Sequence, residues 1–442
     1  MRRRQFLAAP LALAGGIRLR GDEKPKALEV TDPRATSGDP VEPNWESGNT
    51  VTVGPKSADM VGSDQKAIQA AVDYVARLGG GTVRILPGTY RMRNAVYLRS
   101  RVRIVGSGLD SVLIKEPSVK TKLTADSDWY EQEITLADPK GFEIGDGIYL
   151  RAQNANGGTS LDRHLRTLVA RSGNRFKLDK MLVGNFWVGQ EATATTLFAI
   201  FDGMHVSDVA IENITLDGNR ANNEFLNGNY VGCIFLRESN RIRLRGVTSR
   251  NFNGDALSWQ VCHDVVAEDC HSHDCAGYGM HAGSGSQRTV AARNRLERND
   301  IGFFFCWGVR WSVCESNTIL DNRRFGVSVG HKDTDNLVRR NDIQRSGKVG
   351  VLFRQEHGPG FSPNRNRLED NRILDSGGSE DGIGVKVEGQ TQSVGIARNE
   401  IRETRASAKR IGVKIEPETK DIRLAENRIE GFAQAVVDLR KA

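Results

Sequence analysis

Short apolar segments that each begin at a glycine recur through the second half of the chain. Most of their starts lie 22 to 25 residues apart, with longer gaps before the last two. A repeated unit of this length cannot bury its apolar face alone, but stacked neighbours bury a continuous core. The pattern therefore predicts a solenoid of stacked β-coils. The segments start at Gly232, Gly254, Gly277, Gly302, Gly326, Gly350, Gly382 and Gly412.

An asparagine repeat runs in phase with the glycine repeat. In each of six successive units, an asparagine stands two residues before a leucine or isoleucine. Asparagine side chains at one turn of every coil can hydrogen-bond to each other along the stack, so we expect an asparagine ladder. A leucine-rich repeat has a similar length, but its Leu-x-x-Leu-x-Leu pattern is absent. The six residues are Asn294, Asn317, Asn341, Asn371, Asn399 and Asn427.

Residues 64–90 combine an amphipathic helix with a Gly-Gly-Gly-Thr-Val turn. Ile68, Val72 and Val75 lie on one face of that helix. The stretch resembles the start of β-helix proteins of the pectate-lyase superfamily, closely over residues 60–110 and in general pattern from about residue 200 onward. The resemblance implies an all-β fold, a right-handed parallel β-helix solenoid with an N-terminal capping helix, and a carbohydrate-active protein.

The chain divides into five predicted segments. Residues 1–14 carry three arginines before a short apolar run that ends in Ala-Leu-Ala, which is typical of a twin-arginine-like signal peptide. Residues 15–59 are rich in Pro, Asp, Ser and Gly and read as an N-terminal tether or arm. Residues 60–117 would form the capping helix and the first coils, 118–196 a small β-rich insertion, and 197–442 the β-helix coils with a groove. We therefore expect an exported protein, periplasmic or extracellular.

Composition and charge narrow the choice of partner. No run approaches the 18 to 20 apolar residues that a membrane-spanning helix needs, so no integral membrane segment is expected. The formal net charge of +7 falls to +4 when the three arginines of residues 1–14 are removed. A mildly basic surface is compatible with an anionic polymer as substrate. No nucleic-acid partner is predicted. Six cysteines lie between Cys233 and Cys314. The sequence leaves open whether these cysteines are free buried thiols or whether Cys270 and Cys275 form a disulfide. It also leaves the oligomeric state open.

The repeat also sorts side chains into inward and outward columns. Strand alternation sends the first and third positions after each glycine into the core and the second and fourth outward. The outward positions and the turns that follow them carry aromatic and titratable residues, which suits sugar stacking and acid–base chemistry. The predicted catalytic residues are His281, His331, Lys332, Arg354 and Glu356. The predicted substrate-binding residues are Asp255, Trp259, Phe304, Trp307, Lys386 and Glu388.

Three chemistries can use these residues on a polysaccharide or oligosaccharide substrate. In β-elimination on a uronate-containing glycan, His331, Lys332 or Arg354 would be the base, and His281, Arg354 or Lys386 would neutralise the charge that develops. Hydrolysis would need a carboxylate pair, with Glu356 and Glu388 as its members and Asp255 or Glu238 as less favoured ones. C5 epimerisation of a uronate would use much the same residues as elimination. Because the set is richer in His, Lys and Arg than in close carboxylate pairs, we favour elimination; a non-catalytic glycan-binding β-helix is the remaining alternative.

Known motifs do not decide among these chemistries. The Asn-Thr-Asp, paired-Asp and Gly-His-Gly motifs of polygalacturonases are absent, and alginate epimerases carry Asp-Pro-His where this chain has Gly-Met-His at 279–281. The acidic calcium cluster of pectate lyases is not evident, so no cofactor is predicted. The segment 270–275 is rich in Cys and His but lacks zinc-type spacing, so no metal site is predicted either.

Overall fold

Parallel strands wind into successive coils that stack along one axis. The structure, a computed structural model, describes residues 43–45, 48–153, 161–378, 381–405 and 409–440. In these residues 39 strands, numbered β1 to β39 in chain order, form two long parallel sheets and one small antiparallel sheet. They include a single α-helix, α1 (Gln65–Arg77), and short 3-10 helices at Val188–Gln190, Arg220–Asn222 and Pro359–Phe361. The predicted all-β parallel β-helix fold is confirmed.

The larger parallel sheet forms two of the three faces of the solenoid. The long strands β6 and β14 each contribute to both faces, and from β16 onward every coil supplies one strand to each. Its strands are β1 (Asn49–Gly54), β2 (Met60–Val61), β3 (Gly81–Ile85), β4 (Gly88–Met92), β6 (Val102–Lys115), β14 (Ser207–Asp217), β16 (Asn240–Arg245), β17 (Thr248–Arg250), β19 (His263–Glu268), β20 (His271–His273), β22 (Val290–Ala292), β23 (Arg295–Glu297), β25 (Val313–Glu315), β26 (Thr318–Leu320), β28 (Leu337–Arg339), β29 (Asp342–Gln344), β31 (Arg367–Glu369), β32 (Arg372–Leu374), β34 (Gly395–Ala397), β35 (Glu400–Arg402), β37 (Arg423–Ala425) and β38 (Arg428–Glu430).

The third face, here called the groove sheet, carries most of the candidate residues. Its inward column runs through Leu257, Met280 and Phe303, all fully buried. The neighbouring outward column runs through Ser258, His281 and Phe304. The strands are β5 (Val96–Tyr97), β13 (Phe201–Met204), β15 (Gly232–Arg237), β18 (Asp255–Gln260), β21 (Tyr278–Gly283), β24 (Ile301–Cys306), β27 (Phe325–Val329), β30 (Val349–Phe353), β33 (Asp381–Val387), β36 (Lys409–Ile415) and β39 (Gln434–Asp438).

The N-terminal end of the solenoid is covered by α1. Asp64 caps this helix, because its carboxylate accepts hydrogen bonds from the backbone N–H groups of Lys66 and Ala67. Ile68, Ala71, Val72 and Val75 are buried against the first coils, so the expected capping helix is confirmed. Residues 1–14 and most of the predicted arm lie outside the described residues. Residues 49–54 of that arm are β1, which pairs with β3, so the solenoid begins earlier than residue 60.

A small antiparallel sheet lies between the first coils and the rest of the solenoid. It encloses its own core, in which Phe142, Phe176 and Phe186 are buried. This is the expected β-rich insertion. Nowhere in the described part of the chain is a helix long and apolar enough to cross a membrane. The insertion strands are β7 (Lys120–Lys122), β8 (Glu133–Thr135), β9 (Gly147–Gln153), β10 (Leu161–Ser172), β11 (Arg175–Leu178) and β12 (Thr193–Thr195).

The predicted asparagine ladder is present at one corner of the coils. From Asn294 to Asn427, the side-chain amide Nδ2 of each member donates to Oδ1 of the next member at 2.9 Å. The residue before each asparagine is in the left-handed region, for example Arg293 at φ 56° and Ser316 at φ 54°. The ladder therefore supplies hydrogen-bond partners where the chain leaves the strand conformation. All six cysteines are buried free thiols, which excludes the Cys270–Cys275 disulfide in this structure.

Candidate functional site

A histidine and an aspartate from adjacent coils of the groove sheet form a buried pair. Nδ1 of His281 lies 2.8 Å from Oδ2 of Asp255, and the two side chains are 1% and 3% exposed. The second carboxylate oxygen accepts a hydrogen bond from the backbone N–H of Tyr278 at 2.9 Å. Nε2 of His281 is buried and has no hydrogen-bond partner among the described residues. An ionised carboxylate only accepts hydrogen bonds, so in the neutral imidazole it selects the tautomer with the proton on Nδ1 and the lone pair on Nε2.

Two glycines make room for the carboxylate of this pair. A Cβ atom at Gly228 would lie 1.6 Å from Oδ2 of Asp255, and one at Gly277 would lie 2.1 Å from Oδ1. Both distances are far below van der Waals contact, so a side chain at either position would displace the carboxylate. The loop before β15 and the turn before β21 therefore enclose Asp255 from two sides.

His281 opens on a cavity of about 240 Å³, here called the dyad pocket. Its wall combines the loop before β15 with side chains from three successive coils. This arrangement gives the buried pair access to a small-molecule group or one sugar unit of a polymer. The lining includes Asn227, Asn229, Tyr278, His281, Phe304 and Arg324.

Tyr278 and Arg324 add a proton donor and a cation to the dyad pocket. The ring centroid of Tyr278 lies 5.3 Å from that of His281. Burial raises the pKa of Tyr278 to about 12, so its hydroxyl stays protonated near neutral pH. Nε of Arg324 lies 2.8 Å from Oδ1 of Asp300, one coil earlier. The Asp300 carboxylate thereby holds the pKa of Arg324 above its usual value, and the guanidinium stays charged.

Phe304 separates His281 from a second cation, Arg354. The Phe304 ring centroid lies 5.1 Å from the imidazole centroid of His281 on one side and 4.4 Å from the guanidinium carbon of Arg354 on the other. Arg354 folds back along the groove, because its guanidinium donates to Ser328 Oγ at 2.8 Å and to the Phe305 carbonyl at 3.1 Å. A Cβ at Gly330 would lie 1.9 Å from this guanidinium, so a side chain there would displace Arg354 from its present position.

Beyond Arg354 the groove carries an aromatic stack. The Trp307 ring is stacked on the His331 ring at 4.6 Å with an interplanar angle of 17°, and Trp307 is 62% exposed. Nδ1 of His331 lies 3.4 Å from the carboxylate of Glu356. Glu356 also lies 3.6 Å from Nε of Arg354. The structure therefore brings four of the predicted residues together in one cluster.

Asp333 holds the two turns that carry this stack. Its carboxylate accepts hydrogen bonds from the backbone N–H groups of Gly308, Val309 and Gly330 at 2.8 to 3.0 Å. It is fully buried, and burial raises its pKa to about 6. Lys332 lies beside it in sequence, but its ammonium is placed over the Phe361 ring at 4.5 Å. Lys332 is therefore at the rim of the aromatic stack, away from the dyad pocket.

Trp259 is not on the outer surface, and this prediction is wrong. The side chain is fully buried inside the solenoid, where Nε1 donates to Thr289 Oγ1 at 3.2 Å. The reason is the register of β18, in which Trp259 pairs with Ala282 of β21 and that residue pairs with the buried Phe305 of β24, so Trp259 points inward. In β24 the strand ends at Cys306, and Trp307 in the following turn is free to point outward.

Lys386 and Glu388 share the groove but lie far from His281. Four coil steps separate Lys386 from His281 along one outward column, or about 19 Å at about 4.8 Å per step. Nζ of Lys386 lies 2.5 Å from Glu388 Oε1, and Glu388 also accepts from the backbone N–H of Gln355. Of the remaining substrate-binding predictions, Phe304 and Trp307 face the groove, whereas Asp255 lies behind His281 and is only 2% exposed.

Sequence reasoning missed Tyr278, Arg324 and Asp300. Asp300 and Arg324 are 24 residues apart, close to one repeat, so their stacking on adjacent coils could have been read from the period. Tyr278 stands directly after Gly277, a position that strand alternation assigns to the core. Across the ranges that the structure describes, no three His, Cys, Asp or Glu side chains converge in a way that could hold a metal ion.

Comparison with known proteins supports the fold. A family model described as "Right handed beta helix region" matches residues 191–310. No curated protein matches this chain. Together with the parallel coils, the family match identifies the chain as a right-handed parallel β-helix, as its resemblance to pectate-lyase-superfamily proteins implied.

Solved structures of similar fold include several carbohydrate-active proteins. The A-module of the mannuronan C-5 epimerase AlgE4 from Azotobacter vinelandii is 16% identical, with a TM-score of 0.51 over 87% of this chain and 100% of that one. DFA-IIIase from Arthrobacter chlorophenolicus A6, solved in complex with GF2, is 10% identical, with a TM-score of 0.47 over 89% and 99%. The tailspike protein gp49 from Pseudomonas phage LKA1 is 12% identical, with a TM-score of 0.39 over 82% and 69%. At these identities the likeness extends to the fold alone.

Proposed function

We propose that this protein is an exported enzyme that cleaves a uronate-containing polysaccharide by β-elimination. The observation that carries the proposal is Nε2 of His281, which is buried and unpartnered among the described residues, in a side chain that lines the dyad pocket. Asp255 binds the opposite ring nitrogen and favours the tautomer in which Nε2 can accept a proton. A histidine held in this way is suited to general base catalysis.

The reaction moves one proton and breaks one bond. Nε2 of His281 accepts the proton from C5, the carbon next to the uronate carboxylate. The electron pair of the C5–H bond forms the C4–C5 double bond while the bond from C4 to the leaving sugar oxygen breaks. That oxygen takes a proton from the Tyr278 hydroxyl, and the proton on His281 restores Tyr278 through solvent. The net change is transfer of a proton from C5 to the leaving oxygen.

The positive charge for the intermediate comes from arginine. Removal of the C5 proton spreads negative charge onto the uronate carboxylate, and a cation close to that carboxylate lowers the barrier. Arg324 lines the dyad pocket itself, and Arg354 lies on the far side of Phe304. The role of base, which the sequence assigned to His331, Lys332 or Arg354, therefore passes to His281. The neutralising role passes to Arg324, supported by Arg354.

C5 epimerisation is the second candidate, because the dyad pocket holds both a proton acceptor and a proton donor. If Tyr278 returned a proton to C5 from the other face before the C4–O bond broke, the product would be the C5 epimer. The epimerase A-module named above is a mannuronan C-5 epimerase, so a mannuronate-rich polymer is the first substrate to test. Hydrolysis has less support, because Glu356 contacts His331 and Arg354, and Glu388 contacts Lys386.

The test is an incubation of the purified protein with acidic and neutral polysaccharides. We expect absorbance from unsaturated uronate ends on an acidic polymer, with reducing ends formed in equal number. Replacing His281 with Asn should lower the rate by about 100- to 10,000-fold, as expected for loss of a general base. His205→Asn is the matched control, since the His205 side chain is exposed and lies 3.5 Å from Glu238, outside the dyad pocket. Reducing ends without absorbance would overturn the elimination proposal.

Export is proposed from residues 1–14 and has its own test. The secreted form should have lost about 14 residues, as read by intact mass after fractionation of expressing cells. Replacing Arg3 and Arg4 with Lys should retain the protein in the cytoplasm, because twin-arginine transport depends on both arginines. Efficient export of that variant would contradict the assignment.

A further inference from the structure

A second and larger cavity lies where the insertion folds over the first coils. It has a volume of about 560 Å³ and is here called the insertion pocket. One wall comes from β5, β13 and β15 of the groove sheet, and the other comes from β10 and the turn at residues 179–180. It was not among the sites expected from the sequence, and the steps assigned to the dyad pocket do not use it.

The insertion pocket is lined by more cations than anions. Arg99, Arg163, Arg166, Lys180 and Arg237 face two carboxylates, Asp179 and Asp202. Two of the arginines are neutralised by carboxylates, because Arg237 lies 2.6 Å from Asp202 and Arg99 lies 2.8 Å from Asp73. Within the described ranges, Arg163 and Lys180 make no ion pair. The cations of the pocket outnumber its carboxylates, so it keeps a net positive charge, although Lys180 is close enough to Asp202 to interact with that carboxylate.

A contact positions the Arg163 guanidinium, and the backbone of the turn that carries Lys180 is fixed. The guanidinium of Arg163 stacks on the ring of Tyr230 with its carbon 4.5 Å from the ring centroid. Arg166 donates to the backbone carbonyls of Lys180 and Met181 at 3.2 Å, which fixes the turn that presents Lys180. A cation positioned before the ligand arrives loses less entropy on binding than a free surface side chain does.

The insertion pocket lies next to the dyad pocket. Asn229 lines both cavities, and the neighbouring Tyr230 is 43% exposed. Asp202, Phe235, Ser258 and His281 occupy the same outward column on four successive coils. At about 4.8 Å per coil, Asp202 lies about 14 Å from His281 along the solenoid axis. Phe235 and Ser258 between these ends are 1% and 0% exposed, so a polymer whose reacting sugar contacts His281 would have to cross the exposed Tyr230 ring to reach Arg163.

We propose that the insertion pocket is an anion subsite that binds the carboxylate of another uronate unit of the same polymer. Arg163 and Lys180 bind that carboxylate, and the exposed Tyr230 ring supports the sugar between the two cavities. This rests on the proposed function, because it takes the substrate to be a uronate polymer. The insertion then acts as a binding wall that favours long acidic chains over short or neutral ones.

The experiment separates binding from turnover. An Arg163→Ala/Lys180→Ala variant is made in the His281→Asn background, and its binding to an oligouronate is measured by calorimetry. We expect binding weakened by about tenfold or more, with the largest loss at low salt. In the active background, KM for the polymer should rise by a similar factor while kcat is unchanged. Arg175→Ala/Lys177→Ala is the control, because it removes two charges that face Glu133 outside the pocket.

The outcomes distinguish the two proposals. The protein could bind an oligouronate through Arg163 and Lys180 and yet turn over no substrate. That result would support the anion subsite and refute the proposed enzymatic activity. Turnover with an unchanged KM in the double variant would refute the subsite and leave the enzyme standing. If the control variant weakened oligouronate binding equally, the affinity would depend on the net charge of the protein alone. That result would overturn the subsite proposal. Failure of every acidic oligosaccharide to bind would overturn it as well.

Discussion

Replacing Asp255 with Asn changes the proton on His281 without changing the shape of the site. The backbone N–H of Tyr278 needs an acceptor and now donates to Oδ1 of Asp255. An asparagine would keep its carbonyl oxygen at that position, which turns its amide NH2 toward Nδ1 of His281. Nδ1 must then accept, and the imidazole proton moves to Nε2. The proposed base is thereby blocked.

The magnitude follows from the loss of the base and its counter-charge. General base catalysis contributes about 100- to 10,000-fold, and the loss of a carboxylate behind a catalytic histidine reaches the upper part of that range. We therefore expect kcat to fall by about 1,000- to 10,000-fold, or about 4 to 5.5 kcal/mol in activation free energy. KM should change little, because Asp255 is buried behind His281 and only 2% exposed.

The assay is the initial rate of unsaturated product formation, with the melting temperature measured alongside. The matched control is Asp264→Asn, which replaces another buried aspartate, one whose bond to Arg288 involves no groove residue. That control should lose stability and keep kcat. An Asp255→Asn protein that stays folded and retains kcat within about threefold would refute the tautomer argument, because a blocked base predicts a loss of at least about 100-fold.

Three further predictions concern stability and substrate contact. Asn341→Ala should lower the free energy of unfolding by about 2 to 4 kcal/mol in urea titrations, because two ladder neighbours and the Cys314 carbonyl lose a partner. Burial lowers the pKa of Lys115 to about 7, so the unfolded chain binds more protons above that pH and stability should rise from pH 7 to 9. Lys115→Met should remove roughly 2 kcal/mol of that rise in the same titrations. Trp307→Ala should raise KM about 3- to 10-fold at constant kcat, measured by initial rates, because an exposed stacking ring is lost.

The fold could be predicted from the sequence because its determinants repeat. One glycine and one asparagine per coil are enough to indicate the period, and Asn294 to Asn427 lie where the ladder requires them. The exact register could not be predicted in the same way. In the structure, the glycines that stack from coil to coil are Gly279, Gly302, Gly326, Gly350, Gly384 and Gly412. The sequence pattern placed Gly277 and Gly382 in this column instead of Gly279 and Gly384. A slip of two residues keeps inward and outward positions unchanged, so most of the columns remained correct.

The site was harder to predict than the fold because strand ends decide it. Trp259 and Trp307 occupy the same offset from their glycines, yet Trp259 is in the core and Trp307 in a turn. The register explains this, because Trp259 aligns through Ala282 with Phe305, two residues before Trp307. The partners of His281 depend on loops that carry no repeat, such as the one containing Gly228. The insertion pocket depends on the packing of an irregular insertion against the coils, which no periodic signal describes.

The central claim is that the enzyme removes the C5 proton of a uronate, and NMR of the products formed in D2O tests it most directly. The account predicts signals from a C4–C5 double bond on an acidic polymer, absent from the His281→Asn protein. Deuterium at C5 of a sugar that is inverted but not cleaved would show that the reaction is epimerisation. His281 would then still be the proposed base. Saturated products with C5 hydrogen retained, formed equally by wild type and His281→Asn, would contradict the account.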